Sequence, residues 1–126
     1  MIVPDSNVWI ALFDEKDTTH ARAEELFKQT AEEDVAVTEY VVLEVATLLK
    51  KKVGASISQE FLAHVFKKTL TKFLDPPDLF ARTIEAFSAL SATNLSFVDC
   101  SLLVLSREYE VISFDKKLAR HLHRSK

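Results

Sequence analysis

Short apolar runs alternate along the chain with longer segments whose apolar residues recur every three or four positions. The runs at residues 2–4, 35–37, 73–74 and 111–114 have the length of buried strands, and the segments between them have the period of amphipathic helices. Strands that alternate with helices indicate a parallel sheet covered on both faces. The pattern therefore predicts an α/β fold with more helix than sheet.

The predicted helices begin at polar or proline residues. Thr38 is placed to cap a helix that runs to about Gly54, and Pro76-Pro77 breaks the chain before another helix. The remaining helices are expected at residues 6–15, 19–32, 58–66, 96–109 and 116–126. Because no repeat or linker interrupts this order, we expect a single domain over residues 1–126.

The composition is that of an ordinary globular protein, with 48% hydrophobic and 28% charged residues. A single glycine argues against an all-β fold built from hairpins. The lone Cys100 cannot form an internal disulfide, which favours a reducing compartment. No apolar run approaches the roughly 20 residues of a membrane span, and no signal-peptide pattern is present. We therefore expect a cytoplasmic protein without a membrane partner.

Acidic residues stand where several of the predicted elements begin or end. Asp5 follows the first strand, Asp115 follows the last strand, and Asp99 lies in the first turn of its helix. Glu44 lies within a helix, at the margin of an apolar stripe. Functional sites of parallel sheets lie beyond the carboxyl ends of the strands. Acids at these positions are therefore candidates for chemistry.

Each of these acids also has a structural interpretation. Asp5 and Asp115 can cap the helices that follow them, and Ser96 with Asp99 matches a capping box. Glu44 can turn towards solvent or pair with a lysine near the end of its helix. For any one acid taken alone, the structural role is the commoner explanation.

Taken together, the acids and their neighbours match the motifs of one family. The segment Asp5-Ser6-Asn7-Val8 resembles the opening motif of PIN-domain ribonucleases, and Glu44 within residues 41–49 resembles their second acid. Residues 95–102 and 111–115 are similar to the third and last motifs, with Asp99 and Asp115 as their acids. The motifs cover nearly the whole chain in the family order. The resemblance implies a three-layer fold, with a short central parallel sheet of four to five strands flanked by helices.

The resemblance also implies a chemistry, the hydrolysis of RNA to a 3′-hydroxyl and a 5′-phosphate. Carboxylates that converge in a pocket repel one another unless a cation joins them, and oxygen ligands favour Mg²⁺ or Mn²⁺. We expect one or two such ions. The expected ligands are Asp5, Asp99 and Asp115, with Glu44 bound directly or through water. The expected supports of these carboxylates and of bound water are Ser6, Asn7 and Ser113.

Basic side chains around the acids are the candidates for contact with the RNA backbone. The net charge of −3 gives no general attraction to nucleic acid, so such contacts have to be local. A solvated helix surface explains each basic residue equally well. The candidates are Lys50, Lys51, Lys52, Arg107, Lys116, Lys117 and Arg120.

The size of the chain is similar to that of VapC-type toxins of VapBC toxin–antitoxin pairs, which are little more than a PIN domain. This resemblance implies a homodimer and a cognate antitoxin that covers the acidic pocket. The large apolar residues of two helices, at 61–66 and 80–87, are candidates for such interfaces, although they also serve to fill a core. The alternative is a non-catalytic PIN-fold module that binds RNA or acts as a scaffold.

Overall fold

The computed structural model describes residues 1–68 and 70–125, and its four described strands are parallel. Strand β1 (Ile2–Pro4) pairs with β4 (Glu110–Ile112), and β2 (Ala36–Thr38) pairs with β3 (Lys72–Leu74). A parallel bridge between Ile2 and Val35 joins the two pairs, which gives the order β4-β1-β2-β3. The carboxyl ends of all four strands therefore meet at one edge, as the sequence predicts.

The helices form two packed groups around these strands. One group contains α1, α2, α3 and α4, and the other contains α5, α6 and α7. This arrangement confirms the three-layer α/β fold. The helices are α1 (Ser6–Phe13), α2 (His20–Lys28), α3 (Glu39–Lys52), α4 (Ala55–Ala63), α5 (Leu79–Ala89), α6 (Phe97–Leu105) and α7 (Lys116–Ser125). The last residue of the predicted basic helix, Lys126, lies outside the described residues. None of the described helices has the length and apolar character that crossing a membrane requires.

Local hydrogen bonds explain where α3 begins and ends. The Thr38 hydroxyl accepts a hydrogen bond from the Val41 N–H at 3.3 Å, which is the predicted helix cap. At the other end, the Gly54 N–H donates to the Leu49 carbonyl at 3.0 Å, and Gly54 has a φ of 132°. Residues that carry a Cβ atom rarely adopt this φ, so the only glycine of the sequence occupies the turn that needs it.

The core is built around an aromatic cluster beneath α1. Trp9 is fully buried, and its ring centroid lies 4.9 Å from that of Phe27 and 5.6 Å from that of Phe61. This aromatic cluster fixes α1 against α2 and α4, and so positions the residues that open α1. Cys100 is also buried, and burial raises the pKa of its thiol.

Several predicted element boundaries were wrong. The helix expected over 19–32 ends at Lys28, because the Thr30 hydroxyl donates to the Leu26 carbonyl at 2.8 Å and a 3₁₀ turn of acidic residues follows. The helix expected over 96–109 ends at Leu105. Side-chain hydrogen bonds to the backbone compete with helix continuation, and periodicity does not reveal them.

Two further boundaries differ from the prediction. The helix expected over 58–66 is α4, which ends at Ala63 and continues as a π-helical turn, His64–Lys68. The strand expected over 111–114 ends at Ile112. Because of this early end, Ser113 is free of the strand ladder, and its hydroxyl turns towards β1.

Candidate active site at the carboxyl ends of β1 and β4

Asp5 lies at the junction of β1 and α1. Its N–H donates to the Ile112 carbonyl at 2.8 Å, which extends the pairing of β1 with β4. Its Oδ1 accepts a hydrogen bond from the Ser6 N–H at 2.7 Å and caps α1. The residue is only 3% exposed. The capping interpretation is therefore correct for Asp5, and it leaves the second carboxylate oxygen available for other contacts.

That second oxygen belongs to a network that joins the residues after β1 to those after β4. Asp5 Oδ2 accepts hydrogen bonds from the Ser113 hydroxyl at 2.8 Å and from the Asn7 amide at 3.2 Å. Asn7 Nδ2 also donates to Ser113 Oγ at 3.2 Å, and Asn7 Oδ1 accepts from the Phe114 N–H at 3.0 Å. Asn7 and Ser113 thus hold the Asp5 carboxylate in one orientation.

The environment of Asp5 favours its protonated form. Burial is the largest cause, and it raises the pKa of this carboxyl group from 3.8 to about 6. The hydrogen bonds from Ser113 and Ser6 lower the pKa, while the negative charges of Asp99 and Glu44 raise it. Since Asp99 and Glu44 act on Asp5 through their charge, the fold brings all three acids into electrostatic reach of one another.

Asp99 occupies the N-terminus of α6 in the predicted capping box. The Ser96 hydroxyl accepts from the Asp99 N–H at 3.0 Å, and Asp99 Oδ2 accepts from the Ser96 N–H at 2.9 Å. Glu44 is half-buried on α3 and makes no ion pair with a described residue. Lys52, one of its candidate partners, lies instead 3.6 Å from Asp14.

Asp115 is connected to Asp5 through Ser113. The Asp115 N–H donates to Ser113 Oγ at 3.1 Å, and Asp115 Oδ1 accepts from the Lys117 N–H at 3.0 Å at the start of α7. Ser6 behaves differently from Ser113. Its buried hydroxyl has no hydrogen-bond partner among the described residues, and it supports Asp5 only through its N–H.

A family model described as the PIN domain matches residues 2–122. The chain belongs to the PIN-domain family. Solved structures that share the fold include VapC20 of Mycobacterium tuberculosis, described as a sarcin–ricin loop cleaving toxin, and FitAcB from Neisseria gonorrhoeae. VapC20 is 22% identical with a TM-score of 0.84, over 95% of this chain and 94% of that chain. FitAcB is 14% identical with a TM-score of 0.65, over 98% of this chain and 94% of that chain. A search of curated proteins found no match.

The donor atoms of this PIN domain suit a hard divalent cation. The charges of Asp99 and Glu44 act on the Asp5 carboxylate, and the buried Ser6 hydroxyl next to it has no hydrogen-bond partner among the described residues. Over residues 1–68 and 70–125, however, no three His, Cys, Asp or Glu side chains are close enough together to hold a metal ion. Oxygens of Asp99 and Asp115 accept from backbone N–H groups. A cation would compete with these donors for the same oxygens.

The predicted basic residues lie in three parts of the PIN domain. Lys50, Lys51 and Lys52 end α3, beyond Glu44, while Arg107 is exposed after α6. The others belong to α7, directly after Asp115. These are Lys116, Lys117 and Arg120, all exposed.

One contact of the loop between Ser113 and Asp115 was not predicted from the sequence. The guanidinium carbon of Arg22, on α2, lies 4.2 Å from the ring centroid of Phe114. The segment His20-Ala21-Arg22-Ala23 resembles the start of the family's second helix, but this resemblance assigns no partner to Arg22. A sequence contains no signal for the partner of such a side chain when that partner is remote along the chain.

Proposed function

We propose that this PIN domain is a divalent-metal-dependent endoribonuclease and the toxin of a toxin–antitoxin pair. The observation that carries the proposal is the environment of Asp5. A buried carboxylate, fixed by Asn7 and Ser113, lies within the electrostatic influence of Asp99 and Glu44. Concentrated negative charge of this kind is costly for a structural role alone and is typical of sites that bind a cation.

The acids have distinct roles in this proposal. Asp5, Asp99 and Asp115 would hold the ion directly, and Glu44 would hold it directly or through water. One or two bound Mg²⁺ or Mn²⁺ ions would supply an activated water and neutralise charge on the leaving oxygen. The chain's own residues prepare this chemistry by holding carboxylates in place and by orienting the phosphodiester.

Asn7 and Ser113 have a specific task in this arrangement. Burial and neighbouring charge raise the pKa of Asp5, and the hydrogen bond from Ser113 opposes that rise. With a pKa of about 6, Asp5 is mainly ionised at neutral pH and is able to bind a cation. Ser6 adds a buried hydroxyl next to this carboxylate.

RNA is the proposed substrate, and the toxin role is the proposed biological function. Both rest on the family and on the likeness to VapC20, which is itself described as a toxin that cleaves the sarcin–ricin loop. We propose a cytoplasmic location, because the sequence has a single cysteine and that cysteine is buried. The basic residues named above are the proposed contacts to the RNA backbone.

A homodimer through α5 is part of the proposal. Phe80, Ile84 and Phe87 are 59%, 44% and 45% exposed and lie on one face of this helix, which we call the α5 stripe. An identical stripe on a second copy would cover it in a symmetric interface. The segment at 61–66 presents less exposed apolar surface for a dimer interface, because Phe61 and Val65 are buried in the core.

A cognate antitoxin completes the proposed partners. A basic side chain of the antitoxin would pair with the carboxylates around Asp5 and so compete with metal binding. Expression of this chain alone should then arrest growth, and co-expression of the antitoxin should restore it. Harmless expression of an active enzyme would contradict the toxin role and leave the nuclease proposal standing.

Cleavage of a structured RNA by the purified protein tests the nuclease proposal. We expect cutting with Mg²⁺ or Mn²⁺, none with EDTA, and a rate at least about a hundredfold lower for Asp5→Asn and for Asp99→Asn. Asp34→Asn is the matched control, since Asp34 is an exposed acid in the 3₁₀ turn. Wild-type protein that binds RNA but never cuts it would favour the scaffold alternative.

A further inference from the structure

An arginine of α2 packs against the loop that carries Ser113 and Asp115. The guanidinium carbon of Arg22 lies 4.2 Å from the Phe114 ring centroid, well within the range of a cation–π contact. Phe114 stands between Ser113 and Asp115, and its N–H donates to Asn7 Oδ1 at 3.0 Å. This contact therefore places a positive charge against the side chain that separates Ser113 from Asp115.

The charge of Arg22 is not neutralised by a carboxylate of the described chain. The nearest acids along α2 are engaged elsewhere: Glu24 lies 3.4 Å from His20 Nε2, and Glu25 accepts from Gln29 at 2.8 Å. Arg22 is exposed. A contact with an aromatic ring does not satisfy the N–H donors of a guanidinium as a carboxylate does, so Arg22 retains its capacity to bind an anion.

A cation at this position addresses a problem that the acids create. Their carboxylates repel the phosphates of RNA, so a nearby positive charge is needed to hold the strand. Two of the other candidate cations already have partners. Lys52 lies 3.6 Å from an Asp14 oxygen, and Lys117 donates to the Asn94 carbonyl at 3.3 Å. Arg22 has neither type of partner in the described structure.

We propose that Arg22 binds a phosphate of the RNA strand beside the cleavage site and that Phe114 holds its guanidinium in place. The proposal rests on the ribonuclease function proposed above and adds a residue that none of the four acid motifs contains. A guanidinium can donate two parallel hydrogen bonds to phosphate oxygens, whereas an ammonium acts as a point charge. Arg22 is therefore expected to position the backbone, without reading the base sequence.

Binding of a fluorescent single-stranded RNA over a series of salt concentrations, in EDTA to prevent turnover, tests this proposal. Arg22→Ala should lower the affinity about tenfold, since a hydrogen-bonded charge is lost. It should also make the slope of log K against log salt shallower by about 0.7, the value for one phosphate contact on a single strand. Lys28→Ala, at the other end of α2, is the matched control and should change neither quantity.

Two further variants separate the contributions of charge and of placement. Arg22→Lys should keep the salt slope but recover only part of the affinity, because the paired hydrogen bonds are lost. Phe114→Leu should also keep the slope and weaken binding less than Arg22→Ala does. Wild-type affinity for Phe114→Leu would overturn the holding role of the ring.

Either of two results would overturn the proposed contact between Arg22 and a phosphate. One is that Arg22→Ala and Lys28→Ala bind RNA equally well. The other is that Arg22→Ala lowers the melting temperature and leaves the salt slope unchanged, which would make Arg22 a structural contact. Either result, with salt-dependent binding by the wild type, would leave the ribonuclease proposal intact. A wild-type protein without salt-dependent RNA binding would overturn the phosphate contact, whereas the ribonuclease proposal is tested separately by metal-dependent cleavage.

Discussion

Asp5 combines a structural contact and a chemical group in one side chain. One oxygen accepts from the Ser6 N–H and caps α1, while the other accepts from Ser113 and Asn7. The substitution Asp5→Asn retains an acceptor oxygen for the cap and removes the buried negative charge. This variant therefore separates the contribution of the cap from that of the charge.

The pH dependence of stability should reveal the burial of this charge. Because the folded protein raises the Asp5 pKa from 3.8 to about 6, it binds this proton more tightly than the unfolded chain does. The resulting stabilisation is complete below the unfolded pKa and is lost as the pH rises through the folded pKa. This pKa shift corresponds to a contribution of at most about 3 kcal/mol to the free energy of unfolding.

We therefore expect Asp5→Asn to raise the melting temperature relative to wild type at pH 8 and to lose most of this advantage at pH 4. Thermal unfolding followed by circular dichroism at the two pH values measures the difference. Asp34→Asn, which changes an exposed acid, should show no such pH-dependent gap. An Asp5→Asn variant whose melting temperature differs from wild type equally at both pH values would contradict the account.

At the scale of elements, the N-terminus of α6 carries a cap and a proposed metal ligand in the same turn. Ser96→Ala removes the oxygen that accepts from the Asp99 N–H. We expect this change to cost about 1 kcal/mol of stability and to lower the melting temperature by several degrees. Cleavage at temperatures well below the transition should stay close to the wild-type rate, because the carboxylate of Asp99 remains.

Asp99→Asn should give the opposite pattern. The Asn side chain still offers an oxygen to the Ser96 N–H, so the melting temperature should stay near wild type while cleavage is lost. Thermal unfolding and a cleavage assay, each applied to Ser96→Ala and Asp99→Asn, separate the effect on stability from the effect on cleavage. A stable, fully active Asp99→Asn protein would show that Asp99 serves the capping box alone.

The sequence was most informative where a local rule determines the structure. The Thr38 cap, the Ser96–Asp99 capping box and the glycine turn after α3 each follow from residue type and local spacing, and the structure contains all three. The ends of α2 and α6 were misjudged, because hydroxyl groups near those ends bond to backbone carbonyls. Such competing bonds break no apolar period, so the pattern overestimates helix length.

Contacts between remote residues were less accessible from the sequence. Ser113 donates to a carboxylate 108 positions earlier in the chain, and only the parallel pairing of β1 with β4 makes this possible. Family resemblance led to Ser113 as a support, but residue spacing alone did not. For the contact between Arg22 and Phe114, neither the family resemblance of residues 20–23 nor residue spacing indicated the partner.

At the scale of the whole molecule, the two groups of helices leave the α5 stripe uncovered. The rings of Phe80 and Phe87 pack against Phe97 at centroid distances of 5.8 and 5.7 Å, so the apolar surface extends from α5 to the start of α6. We expect a dimer in solution, and a monomer after Phe87→Glu, because the interface would have to bury an unpaired charge. Light scattering coupled to gel filtration measures both masses.

Phe66→Glu provides the control for this prediction. Phe66 is 53% exposed and lies in the π-helical turn, where its ring contacts that of Phe73. The dimer should persist in this variant. A monomeric wild type, or a Phe87→Glu protein that remains dimeric, would show that α5 is not the interface.

The central claim is that the carboxylates around Asp5 bind a divalent cation, and titration calorimetry with Mn²⁺ tests it without knowledge of the RNA. At neutral pH, wild type and the Asp34→Asn control should each bind one or two ions per chain. Asp5→Asn should bind Mn²⁺ at least about tenfold more weakly, because a charged ligand is replaced by a neutral one. Absence of binding by folded wild-type protein, or equal binding by Asp5→Asn, would contradict the account.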